Sequence, residues 1–306
     1  MKQLGAFKIL LAGVVAACAI SSCSSMIEAI QNENLAVRES MILDDDERQG
    51  NRFLVPRDKK TSVAVNLYIP KDSASPAPAV FHIHGGAFIG GDADLLDSLS
   101  QRLCTSWGAA FISVNYTKLD DNHDKDYAIE EICDSVLYFA AHASEYNLNT
   151  EKFLIMGYSA GGYYTMTASH VLAQKGFNLA CQVLCYPYLG DAGDRLDALD
   201  LSAKEKLSPA FIIVCENDPL KDGGIQYGKK LSALGVNVLE IKEIRGAYHG
   251  FIEENNPETT VRLKEKNPSY YERQYKKDKA ISPDQEALAR EVESYILENL
   301  RASAIL

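Results

Sequence analysis

The chain is poor in basic residues. Of its 306 residues, 31 are Lys or Arg and 42 are Asp or Glu, which gives a formal net charge of −11 at pH 7. A surface with this excess of negative charge repels the phosphate backbones of DNA and RNA. The composition therefore excludes nucleic acid as a partner and disfavours strongly anionic substrates, whereas neutral esters and sugars meet no such penalty.

The chain also lacks the cysteine patterns of a zinc site, since it has neither a Cys-x-x-Cys pair nor a matching Cys/His spacing. Beyond the first 23 residues the cysteines are Cys104, Cys133, Cys181, Cys185 and Cys215, an odd number, so at least one stays unpaired. Cys181 and Cys185 would lie about 13 Å apart along an extended chain, too far for a disulfide. We interpret these cysteines as small buried apolar side chains.

The first residues contain an apolar run that is too short to span a membrane. Residues 9–20 follow Lys2 and Lys8, and a spanning helix needs about 20 apolar residues, so the run is typical of a signal peptide. It ends in Ile20-Ser21-Ser22-Cys23, which resembles the lipobox of bacterial lipoproteins. We therefore expect removal of residues 1–22 and a lipid on Cys23, anchoring the exported protein to the bacterial cell envelope. Cys18 is a second candidate acceptor, and secretion without lipidation is the remaining alternative.

Residues 23–57 are polar, and we interpret them as a tether and a short packing segment. Beyond them, apolar runs rich in Val, Ile, Phe and Tyr alternate with segments of helical periodicity. The runs occupy residues 63–69, 79–84, 110–115, 153–156, 179–188, 210–215 and 236–244, and residues 284–301 predict a closing helix. This alternation predicts an α/β fold, with a mostly parallel central sheet flanked by helices, in one domain over residues 58–306.

One glycine-rich motif has the context of a nucleophile elbow. Gly157-Tyr158-Ser159-Ala160-Gly161-Gly162 lies between the run at residues 153–156 and a helix-compatible stretch. A serine on a sharp turn between strand and helix needs glycine at positions such as Gly157 and Gly161, because side chains there would collide with neighbouring backbone. A glycine-rich turn without a catalytic role is the alternative.

A second motif follows the run at residues 79–84, where the other oxyanion donors of such a serine are expected. It reads His82-Ile83-His84-Gly85-Gly86. We predict that the N–H groups of Gly85 and Gly86 share a developing oxyanion with that of Ala160, and that His84 supports the loop.

Two patterns imitate metal sites. His82 and His84 fall on one face of a strand, but no third ligand follows at a recognisable spacing. Residues 120–131 have the acid spacing of a calcium loop, but Lys125 stands where that loop requires glycine. We expect no metal and no cofactor.

The chain order serine, acid, histidine constrains the two remaining residues of a triad. Four of the six histidines precede Ser159 and His170 lies in the helix that follows it, which leaves His249. Asp218 lies just beyond the run at residues 210–215, where its carboxylate can accept an imidazole N–H. Glu216 and Asp222 are the competing acids. Ser159, Asp218 and His249 are therefore the candidate catalytic residues.

His84-Gly85-Gly86, the motif around Ser159, Asp218-Pro219-Leu220 and His249-Gly250-Phe251 occur in this order. Together they resemble the α/β-hydrolase esterases of the hormone-sensitive-lipase type. The resemblance spans about residues 62–301 and implies that fold, a Ser-His-Asp triad and hydrolysis of carboxylic esters.

The chain departs from this family at two places. Thr117-Lys118-Leu119-Asp120 replaces the Arg-Leu-Ala-Pro that usually follows the tyrosine matched by Tyr116. Tyr158 replaces the acid that is frequent before the nucleophile, a form similar to secreted acetylxylan-type esterases.

The surroundings of the serine predict an open site. Only about 20 residues separate Tyr188 from Leu207, so we expect little or no cap domain and a site that suits a bulky or polymeric ester. Residues 255–281 form a charged insertion that contains Tyr270 and Tyr271. With Tyr158 they are candidates for a substrate wall, since aromatic faces pack against sugar rings. An exposed helical excursion is the alternative.

Together these features predict a lipid-anchored serine esterase that removes short acyl groups from a carbohydrate or another bulky alcohol. An amidase or aminopeptidase on the same fold is one alternative. A non-catalytic lipoprotein that captures carbohydrate is the other. The sequence predicts no oligomeric state.

Overall fold

An eight-stranded sheet forms the centre of the molecule. The computed structural model describes residues 42–71, 75–189, 206–269, 271–272 and 281–306. The strands are β1 (Asn51–Arg57), β2 (Lys60–Tyr68), β3 (Ala77–Ile83), β4 (Ala110–Val114), β5 (Leu148–Tyr158), β6 (Cys181–Cys185), β7 (Ala210–Asn217) and β8 (Val238–Tyr248). Their order across the sheet is β1-β2-β4-β3-β5-β6-β7-β8.

Most neighbouring strands are parallel. Strand β2 runs antiparallel to β1 and β4, and every other pair in the sheet is parallel. The main α-helices of the described residues are α1 (Asp97–Trp107), α2 (Lys125–Ala141), α3 (Ala160–Gln174), α4 (Lys221–Ala233), α5 (Pro257–Lys266) and α6 (Pro283–Ala302). The predicted mostly parallel α/β architecture is confirmed.

The sheet is buried on both faces, because alternate side chains of a strand point to opposite sides. In β3, Phe81 contacts Phe139 and belongs to a core cluster that includes residues of α2, α3 and α4. Its neighbour Val80 belongs to the cluster on the other face, which includes residues of α1 and α6, among them Leu103 and Ile296. This double cover explains why the central strands read as continuous apolar runs.

The apolar pattern of the sequence did not predict the edge strand β1. The packing segment expected before residue 58 ends in this strand, which pairs with β2 so that Val55 lies opposite Val63. Only Val55 of its seven residues is buried, and Pro56 follows it. Proline is tolerated on an edge strand because one side of that strand needs no partner.

The cysteines within the described residues agree with their interpretation as small buried apolar side chains. Cys104, Cys133, Cys181, Cys185 and Cys215 are all unpaired and buried.

No helix within the described ranges is both long and apolar enough to cross a membrane.

A buried carboxylate fixes the segment before β1 to the sheet. The side chain of Asp94 is fully buried and accepts hydrogen bonds from Arg48 Nε at 3.0 Å, Arg52 at 2.7 Å and Asn66 at 2.7 Å. Burial alone would raise the pKa of Asp94, but the bonds from Arg48, the Leu43 N–H and Asn66 hold it below its ordinary value. Asp94 therefore holds Arg48 of the segment before β1 and Arg52 of β1 in place.

We expect Asp94→Ala to lower the free energy of unfolding by about 3–5 kcal/mol, because it leaves the buried Arg48 guanidinium without its main partner. Asp45→Ala is the matched control. Asp45 also pairs with Arg48 at 2.7 Å, but its side chain is 95% exposed, so its loss should change stability by less than about 1 kcal/mol. Urea unfolding of both variants measures the difference, and equal effects would contradict this account.

Candidate active site

The candidate residues lie just beyond the carboxyl ends of four parallel strands. The glycine loop (residues 84–88) follows β3, Ser159 follows β5, Asp218 follows β7 and His249 follows β8. Because the strands are parallel, these ends meet at one edge of the sheet. The fold therefore collects residues that are far apart in sequence.

Ser159, His249 and Asp218 form a continuous hydrogen-bonded chain. His249 Nδ1 lies 2.7 Å from Asp218 Oδ2, and His249 Nε2 lies 2.8 Å from Ser159 Oγ. An ionised carboxylate only accepts hydrogen bonds, so Nδ1 of the neutral imidazole carries the proton and Nε2 accepts the Ser159 hydroxyl. This is the arrangement in which a histidine can remove the proton of a serine hydroxyl.

The acid is fixed more firmly than the base. The Asp218 side chain is fully buried, whereas that of His249 is 34% exposed. Asp218 Oδ1 accepts the Leu220 N–H at 2.8 Å, which leaves Oδ2 for the imidazole. The competing acids do not take this place, since Glu216 instead accepts the Gly246 N–H.

The pKa of His249 is raised from its ordinary value. Burial would lower it, but the hydrogen bond to Asp218 and the charges of Asp218, Glu253 and Glu254 outweigh this effect. The surrounding carboxylates therefore favour the imidazolium, the form that the base takes after it accepts a proton.

Ser159 occupies a strained turn between β5 and α3. Its φ of 51° and ψ of −117° lie in a region that side chains rarely adopt. A Cβ on Gly157 would lie 2.2 Å from Thr165 Oγ1, and one on Gly161 would lie 2.3 Å from the Ile83 carbonyl oxygen. Only glycine fits at these two positions, so the turn requires the Gly-x-Ser-x-Gly spacing.

The glycine loop is strained as well. Gly86, Ala87 and Phe88 have successive φ values of 124°, 52° and 72°. Within the described ranges, the N–H groups of Gly86 and Ala160 donate no hydrogen bond to the protein, so both remain available to a ligand. Ala160 is the first residue of α3, where the helix dipole favours negative charge.

The structure contradicts the predicted role of Gly85 as an oxyanion donor. Its N–H donates to Glu253 Oε2 at 2.9 Å. A donor that is already bound to a carboxylate is not available to a developing oxyanion in this arrangement.

His84 supports the glycine loop from behind. Its Nδ1 lies 2.6 Å from the Gly85 carbonyl oxygen, and its Nε2 lies 3.0 Å from Lys118 Nζ. The ring stacks on Tyr116 with centroids 4.2 Å apart. The Tyr116 hydroxyl donates to the His84 carbonyl at 2.9 Å. Lys118, in the stretch that departs from the family pattern, therefore takes part in holding the loop.

The prediction that Tyr158 lines a substrate wall was wrong. Its side chain is buried within the sheet and its hydroxyl lies 2.8 Å from His82 Nε2. Alternation in β5 points residue 158 into the core, away from the serine that follows it. Tyr271 lies just beyond α5, whereas Tyr270, like Cys23, falls outside the described residues. The tyrosine wall therefore stays a prediction, as does lipidation.

The expectation of little or no cap concerns residues 189–206, most of which also fall outside the described residues.

The residues of the two patterns that resemble metal sites form hydrogen bonds with other protein groups. His82 is fully buried between Ser100 and Tyr158, and burial lowers its pKa to about 3. Glu131 accepts the N–H and hydroxyl of Thr117 at 2.6 and 2.9 Å. Among the residues that the structure describes, no group of three His, Cys, Asp or Glu side chains could hold a metal ion.

Sequence reasoning missed Glu253. The residue contacts the glycine loop across 168 positions of sequence, and no motif links the two. The only available signal was an acid four positions after His249, which a turn brings back toward the site.

Comparison with known proteins identifies the family to which the fold belongs. A family model described as alpha/beta hydrolase fold matches residues 80–206 and 195–253, together more than half of the chain. Esterase LipI of Mycobacterium tuberculosis is 29% identical over 233 residues, covering 62% of this chain and 71% of that protein. An ethyl acetate hydrolase of Pseudomonas putida is 28% identical over 240 residues, covering 65% and 74%.

Among solved structures, the hyperthermophilic esterase of the archaeon Pyrobaculum calidifontis has the same fold. Its TM-score is 0.66 at 20% sequence identity, with 99% of each chain covered. The fold, the family match and the sequence relatives point in one direction. The chain belongs to the alpha/beta hydrolase fold family and is a serine carboxylic ester hydrolase.

Proposed function

We propose that the chain hydrolyses carboxylic esters with Ser159 as nucleophile, His249 as general base and Asp218 as the group that orients the base. The observation that carries this proposal is the hydrogen-bonded chain from Asp218 through His249 to Ser159, at 2.7 and 2.8 Å. A purely structural role does not account for a partly exposed histidine that bridges a buried acid and a strained serine.

In the first step, Ser159 Oγ attacks the ester carbonyl carbon while His249 Nε2 takes the hydroxyl proton. The imidazolium then gives this proton to the leaving alcohol, and an acyl-enzyme remains. Water, activated by the same imidazole, attacks the acyl-enzyme and releases the acid. Asp218 keeps the proton on Nδ1, so that Nε2 is always the nitrogen that faces the reaction.

Negative charge on the carbonyl oxygen needs donors. The N–H groups of Gly86 and Ala160 are the candidates, and each such donor contributes on the order of 3 kcal/mol to the transition state. Both lie on backbone that the strained turns hold in place, so they need no reorganisation during the reaction.

We further propose that the substrate is a short-chain ester of a bulky alcohol, such as an acylated carbohydrate. The exposed edge of His249 supports access by a large alcohol group, and the relative from Pseudomonas putida is named for its action on ethyl acetate. The Tyr270 and Tyr271 wall would contact the sugar.

The anchor is a proposal of its own. Residues 1–22 have the pattern of a signal peptide, and Cys23 follows the lipobox-like sequence, so we propose export and lipidation at Cys23. Incorporation of a palmitate analogue should disappear in Cys23→Ala and persist in Cys18→Ala. Unchanged labelling of Cys23→Ala would contradict the assignment.

We expect Ser159→Ala to reduce kcat for p-nitrophenyl acetate by roughly 10⁴-fold or more, because the nucleophile is lost while the fold is kept. The variant should also lose covalent labelling by a fluorophosphonate. Ser294→Ala, which removes an exposed hydroxyl on α6, is the matched control and should behave as the wild type. Turnover by Ser159→Ala would contradict the mechanism, whereas amide turnover exceeding ester turnover would favour an amidase.

We expect kcat/KM for p-nitrophenyl esters to fall as the acyl chain lengthens, and acetylated xylan fragments to be deacetylated. Replacing Tyr270 and Tyr271 with alanine should raise KM for the acetylated oligosaccharide and leave KM for p-nitrophenyl acetate unchanged. A preference for long acyl chains, or equal effects of the tyrosine variants on both substrates, would contradict the proposed substrate class.

A further inference from the structure

Glu253 joins the two loops that carry the reacting groups. It follows His249 by four positions in the histidine loop (residues 249–256), and its Oε2 accepts the Gly85 N–H at 2.9 Å. A Cβ on Gly85 would lie 2.4 Å from Glu253 Oε1. The close approach of the carboxylate therefore depends on glycine at position 85.

The backbone of Glu253 is itself anchored. Its N–H donates to the Tyr186 hydroxyl at 3.2 Å, and its carbonyl accepts from Asn256 Nδ2 at 2.7 Å. Tyr186 is buried, and its ring centroid lies 5.1 Å from that of His249. The carboxylate is therefore delivered from a fixed position next to the base.

Both the carbonyl oxygen and the N–H of Gly85 form hydrogen bonds. Its carbonyl oxygen lies 2.6 Å from His84 Nδ1, and its N–H is held by Glu253. The three residues that follow have positive φ values, a conformation that persists only where surrounding contacts enforce it. Of the contacts at Gly85, that of Glu253 is the one supplied from the loop of the base.

We propose that Glu253 is a positioning residue of the hydrolase. Its carboxylate clamps the Gly85 amide, which keeps the glycine loop in its strained conformation with the Gly86 N–H available. Its negative charge stabilises the imidazolium form of His249, which lies in the same loop. This inference rests on the proposed ester hydrolysis at Ser159.

The charge of Glu253 gives the clamp a pH dependence. Burial raises the pKa of Glu253 to about 7, against the opposing effects of the Gly85 N–H and of His249. Tyr158, Cys185 and Tyr186 also face this carboxylate, but burial raises their pKa values and they stay neutral. Because the charges of Glu253 and His249 affect each other, the two groups titrate as a coupled pair.

The negative charge of Glu253 and the positive charge of a protonated His249 stabilise each other. An ionised Glu253 raises the pKa of His249, and the base works only when it is neutral. Activity is therefore lost as the pH falls through the raised pKa of His249. Removing the charge at position 253 lowers the pKa of His249, so the acid limb of the rate profile should move to lower pH.

The test compares Glu253→Gln, which keeps an acceptor oxygen without the charge, with Glu253→Ala, which removes both. Hydrolysis of p-nitrophenyl acetate is measured from pH 5 to 9. We expect Glu253→Ala to lower kcat about tenfold to a hundredfold with little change in KM, because the donors lose their alignment. Glu253→Gln should retain most of kcat at pH 8, and its acid limb should lie at lower pH.

Glu298→Gln is the control, since it removes the same charge from an exposed side chain of α6, outside the histidine loop. Its kcat should stay within about twofold of wild type. Wild-type kcat in Glu253→Ala, an unshifted acid limb in both variants, or a loss in Glu253→Gln as large as in Glu253→Ala would overturn the proposal. If Glu253→Ala fails to fold, the acid limb and kcat of Glu253→Gln decide alone.

The outcome for Glu253 is separable from that for the proposed function. A wild-type protein that neither turns over esters nor reacts with a fluorophosphonate at Ser159 would overturn both proposals. A wild-type protein that does both, with kcat and acid limb unchanged in the Glu253 variants, would overturn the role of Glu253 alone.

Discussion

The buried carboxylate of Asp218 is the contact on which the site depends. It accepts from His249 Nδ1 with one oxygen and from the Leu220 N–H with the other, and so it fixes both the ring orientation and the tautomer of the imidazole. Without that choice of tautomer, the 2.8 Å contact between His249 and Ser159 would not point a free lone pair at the serine hydroxyl.

The parallel sheet brings the site residues close together, and the strained backbone orients their side chains and amide groups. Parallel strands bring Ser159, Asp218, His249 and the glycine loop to one edge, but a strand end alone does not aim a side chain or an amide. The unusual φ values of Ser159 and of residues 86–88 do this aiming. The tight approaches at Gly157 and Gly161, together with the contacts of His84 and Glu253, keep these conformations in place.

The sequence predicted the parts of the molecule that follow from periodicity and chain order. Central strands such as β3 and β7 are buried on both faces, so their apolar runs were visible. Ser159, Asp218 and His249 could be named because glycine spacing marks the elbow and because the order of the three residues leaves one histidine. Strand β1 was less visible, since only Val55 of that edge strand is buried.

The errors have one physical origin, which is that contacts between distant loops leave no local pattern. Tyr158 neighbours the serine in sequence, but strand alternation points it into the core beside His82. Gly85 has the residue type of an oxyanion donor, but Glu253, far along the chain, occupies its N–H. Both outcomes depend on side-chain direction and long-range pairing, which residue spacing does not encode.

The most direct measurement of the central claim is nitrogen-15 NMR of the His249 imidazole at pH 8. The account predicts a protonated Nδ1, an unprotonated Nε2 and a hydrogen-bonded Nδ1 proton signal that disappears in Asp218→Ala. A proton on Nε2, or a ring whose nitrogens are averaged as in free histidine, would contradict it.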